Sequence, residues 1–141
     1  MSEVAIAMIE CDGRWLLQLR DDIEGILYPG QWALFGGHLD PGETPEVALR
    51  RELEEEINWE GSHLAPWFEL RDEQRIRHFF RGPLAVPFGS LTLLEGQDMV
   101  LAELDELLTG SIWSPKRQEK RSLAPSLERA VQELKKERDQ A

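Results

Sequence analysis

Residues 36–59 read GGHLDPGETPEVALRRELEEEINW and join a glycine-containing loop to an acidic helix. Thr44 can cap the start of this helix, and Pro45 suits its first turn. Asn58 can close the other end, because asparagine enters the left-handed conformation more easily than most residues. The sequence therefore predicts a helix from about Pro45 to Ile57.

Four glutamates crowd the end of this helix, and three of them share one side. At about 100° of rotation per residue, Glu52, Glu55 and Glu56 fall on one arc with the small residue Ala48. Glu54 points nearly opposite Glu52. An isolated run of this kind is usually a solvated face, whereas convergent carboxylates repel each other unless a cation lies among them. Hard divalent cations such as Mg²⁺ prefer oxygen ligands of this type.

The composition is that of one globular domain spanning residues 1–141, with 41% hydrophobic and 30% charged side chains. A net charge of −11 argues against a nucleic-acid partner, because backbone binding needs clustered Lys and Arg. Cys11 is the only cysteine and the three histidines lack zinc-type spacing, which fits a reducing cytoplasm and oxygen ligands for any metal. The start shows no basic leader, and no stretch is long and apolar enough for a membrane span, so no membrane partner is expected.

Short apolar runs separated by turn residues predict several strands and few helices. Asp12-Gly13 favours a tight hairpin turn, and the glycines and proline of residues 21–31 favour a loop. The expected strands are 4–10, 15–20, 32–35, 63–70, 75–80, 84–88 and 99–101. Two further helices are expected at 104–108 and 124–136, followed by a fraying tail. This pattern predicts an α/β or α+β sandwich in which a mixed β-sheet packs between helices.

The loop and acidic helix resemble the signature of the Nudix hydrolases, G-x5-E-x7-R-E-U-x-E-E-x-G-U, where U is a bulky apolar residue. The match begins at Gly37 and includes Glu43 and residues 51–57. Asn58 replaces the last glycine, and the left-handed cap explains why asparagine can serve there. The order of hairpin, loop, short strand and later strands is also similar to the Nudix sandwich.

The resemblance implies roles for the residues of the signature. Glu52, Glu55 and Glu56 would bind the metal, and one of them would serve as base for the attacking water. Arg51 would orient these glutamates by pairing with them. Glu43 would brace the loop against the helix.

Three further residues receive roles from the same resemblance. The Gly36 carbonyl is a candidate metal ligand, and Gly37 shapes the loop. The segment EGQ at 95–97 is similar to a loop of MutT-like members whose glutamate reaches the metal site. Glu95 is therefore a candidate metal ligand, with a polar surface turn as the alternative.

Candidate substrate ligands outside the signature are Arg20, Arg77 and His78. Arg20, at the end of a predicted strand, would contact phosphate or base, although a surface salt bridge with Asp21 or Asp22 fits the sequence equally well. Simple strand alternation also accounts for Arg77 and His78. The aromatic residues available to stack on a base, for which core positions are the usual alternative, are Trp32, Phe35 and Trp67.

The resemblance implies hydrolysis of a nucleoside diphosphate linked to another group, X, by water attack at phosphorus with Mg²⁺ or Mn²⁺. A small nucleotide is then the expected partner, and a homodimer is compatible with the sequence. A catalytically silent nucleotide sensor of the same fold is one alternative, but such domains usually lose the glutamates that are present here. An isopentenyl-diphosphate isomerase is another, but Cys11 lies in a predicted turn and is poorly placed as its catalytic cysteine.

Overall fold

The computed structural model describes all residues from Met1 to Ala141. The chain contains nine strands, three α-helices and a short 3₁₀ turn at Phe88–Ser90. The strands are β1 (Ser2–Cys11), β2 (Arg14–Leu19), β3 (Trp32–Ala33), β4 (Phe35–His38), β5 (Ala65–Arg71), β6 (Arg75–Pro83), β7 (Asp98–Ala102), β8 (Ser111–Ser114) and β9 (Glu119–Ser122). The helices are α1 (Pro45–Ile57), α2 (Leu104–Leu107) and α3 (Pro125–Gln140).

These elements form two compact units, each built from two separate stretches of sequence. Unit 1 contains residues 1–11 and 35–95, and unit 2 contains residues 12–34 and 96–141. Neither unit is a continuous piece of the chain. No helix combines the length and the apolar character that a bilayer crossing requires.

Unit 1 is a mixed sheet with strand order β4-β1-β6-β5, covered by α1. Strand β1 pairs with β6 in parallel and with β4 in an antiparallel arrangement, while β5 pairs antiparallel with β6. A bulge interrupts the β5–β6 register between Pro66 and Phe68. Helix α1 contacts β4 and β1 and buries one side. The buried apolar side chains of α1 are Ala48, Leu49, Leu53 and Ile57.

Unit 2 combines antiparallel strands with α2 and α3. Strand β2 pairs with both β3 and β7, and β8 and β9 form a separate hairpin. The Trp32 ring is buried, and its Nε1–H donates to the Ile112 carbonyl at 2.9 Å. Helix α3 buries Leu127, Ala130, Val131 and Leu134 at helical spacing, as its sequence pattern predicts.

The local signals around α1 are confirmed. The helix spans Pro45–Ile57, and the Thr44 hydroxyl accepts from the Val47 N–H at 3.2 Å. Asn58 has φ 55° and ψ 38°, which is the left-handed conformation expected of the cap. The turn residues Asp12 and Gly13 also have positive φ. Mixed strand pairing with few helices confirms the α+β class.

Two predictions about strands are wrong. Residues 84–88 form no strand, because β6 ends at Pro83, Pro87 cannot donate to a ladder, and the 3₁₀ turn begins at Phe88. The predicted strand 32–35 is divided at Leu34 into β3 and β4, which pair with different partners.

Two further elements extend beyond the sequence prediction. The β8–β9 hairpin was not expected, because Pro115 and several charged residues obscure its alternation. The tail predicted to fray is helical as far as Gln140. The remaining predicted strands differ from the observed ones only at their ends.

Candidate active site

Glu56 is the most enclosed carboxylate of unit 1. Only 2% of the residue is exposed, and its Oε1 accepts a hydrogen bond of 2.8 Å from the Gly36 N–H. Burial and a hydrogen bond with the Glu95 side chain together raise the pKa of Glu56 to about 10, although the Gly36 N–H opposes the rise. In the absence of a cation, Glu56 is therefore protonated at neutral pH.

Glu52 lies one helical turn earlier and is partly enclosed. Its side chain is 19% exposed, and its carboxylate stands over Gly37. Burial raises the pKa of Glu52, the hydrogen bond from Arg51 lowers it, and the charges of Glu55 and Glu95 raise it. Glu52 therefore belongs to the same electrostatic cluster as Glu56.

Glu55 occupies the outer edge of this cluster. Its side chain is 59% exposed and lies 3.5 Å from Nη1 of Arg51. Glu54 is exposed, as its opposite direction on the helix predicts. The three glutamates thus have graded access to water, with Glu56 innermost and Glu55 outermost.

Arg51 connects the loop before α1 to the helix. Its Nε and Nη2 donate to the two Glu43 carboxylate oxygens, both at 2.8 Å, and Nη2 also donates to the His38 carbonyl at 3.0 Å. Arg51 and the Asp40 N–H together lower the pKa of Glu43 to about 2. Nη1 of Arg51 donates to Glu52 at 3.0 Å, so one guanidinium bridges the bracing carboxylate and a glutamate of the cluster.

Glu95 reaches this cluster from a distant part of the chain. The Leu94 N–H donates to the Glu56 carbonyl at 2.8 Å, and the Thr92 N–H donates to the Ile57 carbonyl at 3.4 Å. These bonds hold the loop against the end of α1, and the Glu95 side chain hydrogen-bonds with that of Glu56. A simple surface turn would not explain this contact between two carboxyl groups.

The donor chemistry of the cluster fits a hard divalent cation. Four carboxyl groups influence one another here, every donor is an oxygen, and Arg51 pairs with two of them, Glu52 and Glu55. A cation would relieve the burial and repulsion that raise the pKa of Glu52 and Glu56. No three acidic, histidine or cysteine side chains are already arranged around one point, so binding would require the carboxylates to reorient. At Gly36 the group that faces Glu56 is the N–H, and not the carbonyl named as a candidate ligand.

Arg77 and His78 cannot serve one site together, because they point to opposite faces of the sheet. His78 shares its face with Gly37, and its two ring nitrogens lie 3.0 Å from Glu3 and 3.6 Å from Glu69. On the other face, Nη2 of Arg77 donates to Asp72 at 3.1 Å, while the buried Nε has no partner. Strand alternation accounts for the adjacency of the two residues in the sequence.

Arg20 lies in unit 2 and forms no salt bridge with Asp21 or Asp22, which was the alternative to a substrate contact. Its Nε donates to the Leu27 carbonyl at 2.6 Å. Asp22 pairs with Arg121 instead, with both carboxylate oxygens engaged at 3.0 and 3.1 Å. The reason is spatial: the Asp22 carboxylate contacts β9, on which Arg121 lies 99 residues later in the sequence.

Two of the three candidate stacking residues belong to the core. Trp32 and Phe35 are fully buried, which confirms the core interpretation. Trp67 is partly exposed, packs edge-on against Phe68 at 4.8 Å, and has the Arg81 guanidinium 5.1 Å from its ring centroid.

Sequence reasoning missed several contacts of charged residues. It did not find the Glu3–His78–Glu69 cluster or the Arg121–Asp22 pair, whose members are far apart in the chain. It also missed the His38 carbonyl as an acceptor for Arg51. Only the contact between Arg51 and the His38 carbonyl had a signal in the sequence, because a loop that ends at a helix N-terminus exposes backbone carbonyls near that helix.

A family model described as the NUDIX domain matches residues 1–139 of the chain. The nucleoside triphosphatases NudI of Salmonella paratyphi B and Salmonella typhimurium are each 42% identical to it over 81 residues. The match spans 56% of this chain and 56% of each relative, so the chain corresponds to about half the length of these curated relatives.

Solved structures show the same fold. The solution structure of the E. coli ORF135 protein has a TM-score of 0.64 and 29% identity, covering 94% of this chain and 86% of that one. The crystal structure of the MutT protein from Methanosarcina mazei Go1 has a TM-score of 0.72 and 19% identity, covering 97% and 94%. The family model matches nearly the whole length of this chain, and α1 is an acidic helix of the expected form. The chain therefore belongs to the Nudix hydrolase family.

Proposed function

We propose that this protein hydrolyses a nucleoside diphosphate linked to another group, X, with Mg²⁺ or Mn²⁺ as cofactor. The observation that carries the proposal is the enclosed Glu56 carboxyl, which contacts Glu95 and lies within the electrostatic reach of Glu52. The NudI relatives are named nucleoside triphosphatases, and a nucleoside triphosphate is the member of this substrate class in which X is phosphate. The single cysteine suits work in a reducing cytoplasm.

The residues that would hold the metal are Glu52, Glu55, Glu56 and Glu95. The Gly36 carbonyl is a further candidate, although the group of Gly36 that faces Glu56 is its N–H. When bound, a divalent ion neutralises the phosphate oxygens and stabilises the charge that develops at phosphorus. Members of the family generally use a divalent metal, and the all-oxygen donor set supports the same choice here.

The protein's own side chains position and activate the reacting groups. Arg51 holds Glu52 in place while its other nitrogens remain fixed by Glu43 and the His38 carbonyl. A glutamate of the cluster in its ionised form would accept the proton of the attacking water. Glu56 meets this requirement only when its proton has been displaced, because its pKa is about 10 in the enclosed site.

The basic candidates for substrate contacts are Arg20 and either Arg77 or His78, because the last two point to opposite faces of the sheet. Arg20 and Arg77 offer guanidinium groups, which suit phosphate because their donors match two oxygens at once. His78 is already placed between Glu3 and Glu69, so its contribution would have to compete with those carboxylates.

A substrate panel with matched variants tests the proposal. Nucleoside triphosphates and other nucleoside diphosphate derivatives are incubated with Mg²⁺, with Mn²⁺ or with a chelator, and the products are separated. We expect hydrolysis with either metal, none in chelator, and a loss of about a hundredfold or more in kcat for Glu56→Gln. Glu54→Gln, on the exposed side of the same helix, is the control. Binding of nucleotide without any hydrolysis would identify a silent sensor instead.

A further inference from the structure

The loop of residues 21–31 in unit 2 has a defined shape although it contains no helix or strand. It exposes three apolar side chains, Ile23, Leu27 and Tyr28, and Tyr28 has a positive φ of 53°. Apolar side chains that face water do not hold a loop in place, so its conformation must depend on polar contacts with its backbone and flanks. Those contacts converge on two arginines.

Arg121, on β9, clamps both ends of the loop with one guanidinium. Nη1 and Nη2 donate to the two Asp22 carboxylate oxygens at 3.0 and 3.1 Å, and Nη1 also donates to the Gly30 carbonyl at 2.9 Å. Glu119, two residues earlier on the same strand, accepts from Nε and Nη2 of Arg121 and so fixes the guanidinium. A bidentate pair of this kind sets direction as well as distance.

Arg20 is held by the same loop, while the two terminal nitrogens of its guanidinium are not used in that contact. Its backbone N–H donates to the Gln31 carbonyl at 3.0 Å, its carbonyl accepts from Gln97 at 2.9 Å, and its Nε donates to the Leu27 carbonyl at 2.6 Å. The two terminal nitrogens of Arg20 have no hydrogen bond or ion pair. The side chain is therefore oriented by the loop while its phosphate-matching donors stay available.

The clamp also removes a competitor. Asp22 lies two residues from Arg20 in the sequence and would otherwise be a natural ion-pair partner for it. Arg121 engages both oxygens of Asp22 and Arg117 lies 4.0 Å from the same carboxylate, so Asp22 has two cationic partners other than Arg20.

We propose that Arg121 is a positioning residue for nucleotide binding: by clamping the 21–31 loop and engaging Asp22, it orients Arg20 toward a phosphate of the nucleotide. The proposal rests on the proposed function in two respects, namely that the anion is the substrate's phosphate chain and that Arg20 is one of its ligands. Arg121 itself does not contact the substrate. Its effect passes through the Leu27 carbonyl and through the occupation of Asp22.

Kinetics of three variants provide the first part of the test. Arg121→Gln should raise KM for a hydrolysed nucleoside triphosphate about tenfold and change kcat less than threefold, because the glutamate cluster is untouched. Arg121→Lys, which keeps the charge but not the forked geometry, should recover part of the loss. Lys120→Gln, at the neighbouring position of β9 with no ion pair, is the matched control and should behave as wild type. A KM unchanged by Arg121→Gln would overturn the proposal.

The single tyrosine supplies a second readout that does not depend on turnover. Incorporated 3-fluorotyrosine reports only on Tyr28, and therefore on the loop, through one ¹⁹F resonance. We expect this resonance to shift when inorganic tripolyphosphate is added to the wild type in chelator, and Arg20→Gln should abolish the shift. In Arg121→Gln the resonance should broaden or split without any ligand, and the apparent Kd for tripolyphosphate should rise about tenfold.

The two readouts separate failure of this proposal from failure of the proposed function. If no nucleotide is hydrolysed by the wild type, the function is wrong, while the ¹⁹F titration still decides the role of Arg121. If hydrolysis is normal but tripolyphosphate leaves the resonance unmoved, or Arg121→Gln leaves it sharp, the positioning role is wrong. Arg121→Lys carries the same measurements if the glutamine variant does not fold.

Discussion

The carboxylate of Glu52 lies over the α-carbon of Gly37, in the space that a β-carbon would require. A Cβ built at Gly37 would be 2.7 and 2.8 Å from the two carboxylate oxygens. From the other side, Nη1 of Arg51 donates to Glu52 at 3.0 Å. The missing side chain at position 37 and the guanidinium of Arg51 together determine where this carboxylate stands.

Gly37→Ala should therefore reduce activity without much loss of stability. The methyl group meets only the flexible end of Glu52, which can move aside, but the carboxylate would then leave its place in the cluster. We expect kcat to fall about tenfold or more, since a displacement of about 1 Å at a reacting group has effects on that scale. Initial rates and a thermal melt measure the two effects.

Two other glycines serve as references for this variant. Gly89→Ala should be neutral, because its Cβ would meet nothing within 4 Å. Gly36→Ala should destabilise the fold instead, because Gly36 has φ 133° and its Cβ would collide with the Ala5 backbone carbonyl. If Gly37→Ala and Gly36→Ala have the same effect on melting, the distinction between the two glycines is wrong.

The stability of the metal-free protein should fall as the pH rises above neutral. The folded pKa of Glu56 is about 10, against a reference value of 4.5, so the folded state holds a proton that the unfolded state has released. The stabilising contribution is complete below 4.5 and is lost as the pH rises toward 10. Within that window one retained proton corresponds to about 1.4 kcal/mol per pH unit. Denaturant unfolding in chelator between pH 6 and 9 measures the slope.

Glu56→Gln removes the titrating group and should flatten this dependence. Its amide can still accept from the Gly36 N–H, so the hydrogen bond at 2.8 Å has a substitute. Glu54→Gln is exposed and should keep the wild-type slope. Equal slopes for the wild type and Glu56→Gln would show that Glu56 is already ionised in the folded protein.

Arg51→Lys should lower activity although it keeps the positive charge. An ammonium group cannot bind both Glu43 oxygens, the His38 carbonyl and Glu52 at once, whereas the guanidinium does. We expect kcat to fall about tenfold or more on the scale of a misplaced catalytic group. Arg50→Lys, on the exposed neighbouring position, is the control for kinetic assays and should retain full activity.

Asn58 tests the cap of α1. Because Asn58 has φ 55°, Asn58→Gly should preserve or slightly raise stability, since glycine adopts positive φ without steric strain. Asn58→Val should lower the free energy of unfolding by about 1 kcal/mol or more. Thermal melts of both variants, with and without Mg²⁺, make the comparison. If valine were tolerated as well as glycine, the cap would not depend on the left-handed conformation.

Helix α1 was predictable because its signals are local. Thr44, Pro45 and Asn58 act within one turn of their own positions, and the direction of Glu54 away from Glu52 follows from helical rotation alone. The loop glycines, Glu43 and Arg51 lie within the same short signature. Neighbouring residues in the sequence therefore carry most of the information about the part of the site formed by α1 and the loop before it.

Contacts between distant segments were much less predictable. Glu95 was a candidate through the family resemblance alone; it meets Glu56 across 39 positions of sequence because backbone bonds from Thr92 and Leu94 hold its loop at the end of α1. The β8–β9 hairpin and the Arg121–Asp22 pair likewise depend on where separate strands meet. Periodicity and composition describe single segments, and they give little information about contacts between segments that are far apart in the sequence.

The interleaving of the two units has a consequence for a chain that emerges from the ribosome N-terminus first. Residues 12–34 are synthesised between the two stretches of unit 1, but they belong with residues 96–141. The apolar strand β2 has Leu16, Leu17 and Leu19 buried in the finished protein. Its partner β3 follows at residues 32 and 33, but its other partner, β7, is made only from residue 98 onward. We expect the edge of β2 that pairs with β7 to stay open in the nascent protein until that strand has been made, and therefore to need protection from aggregation.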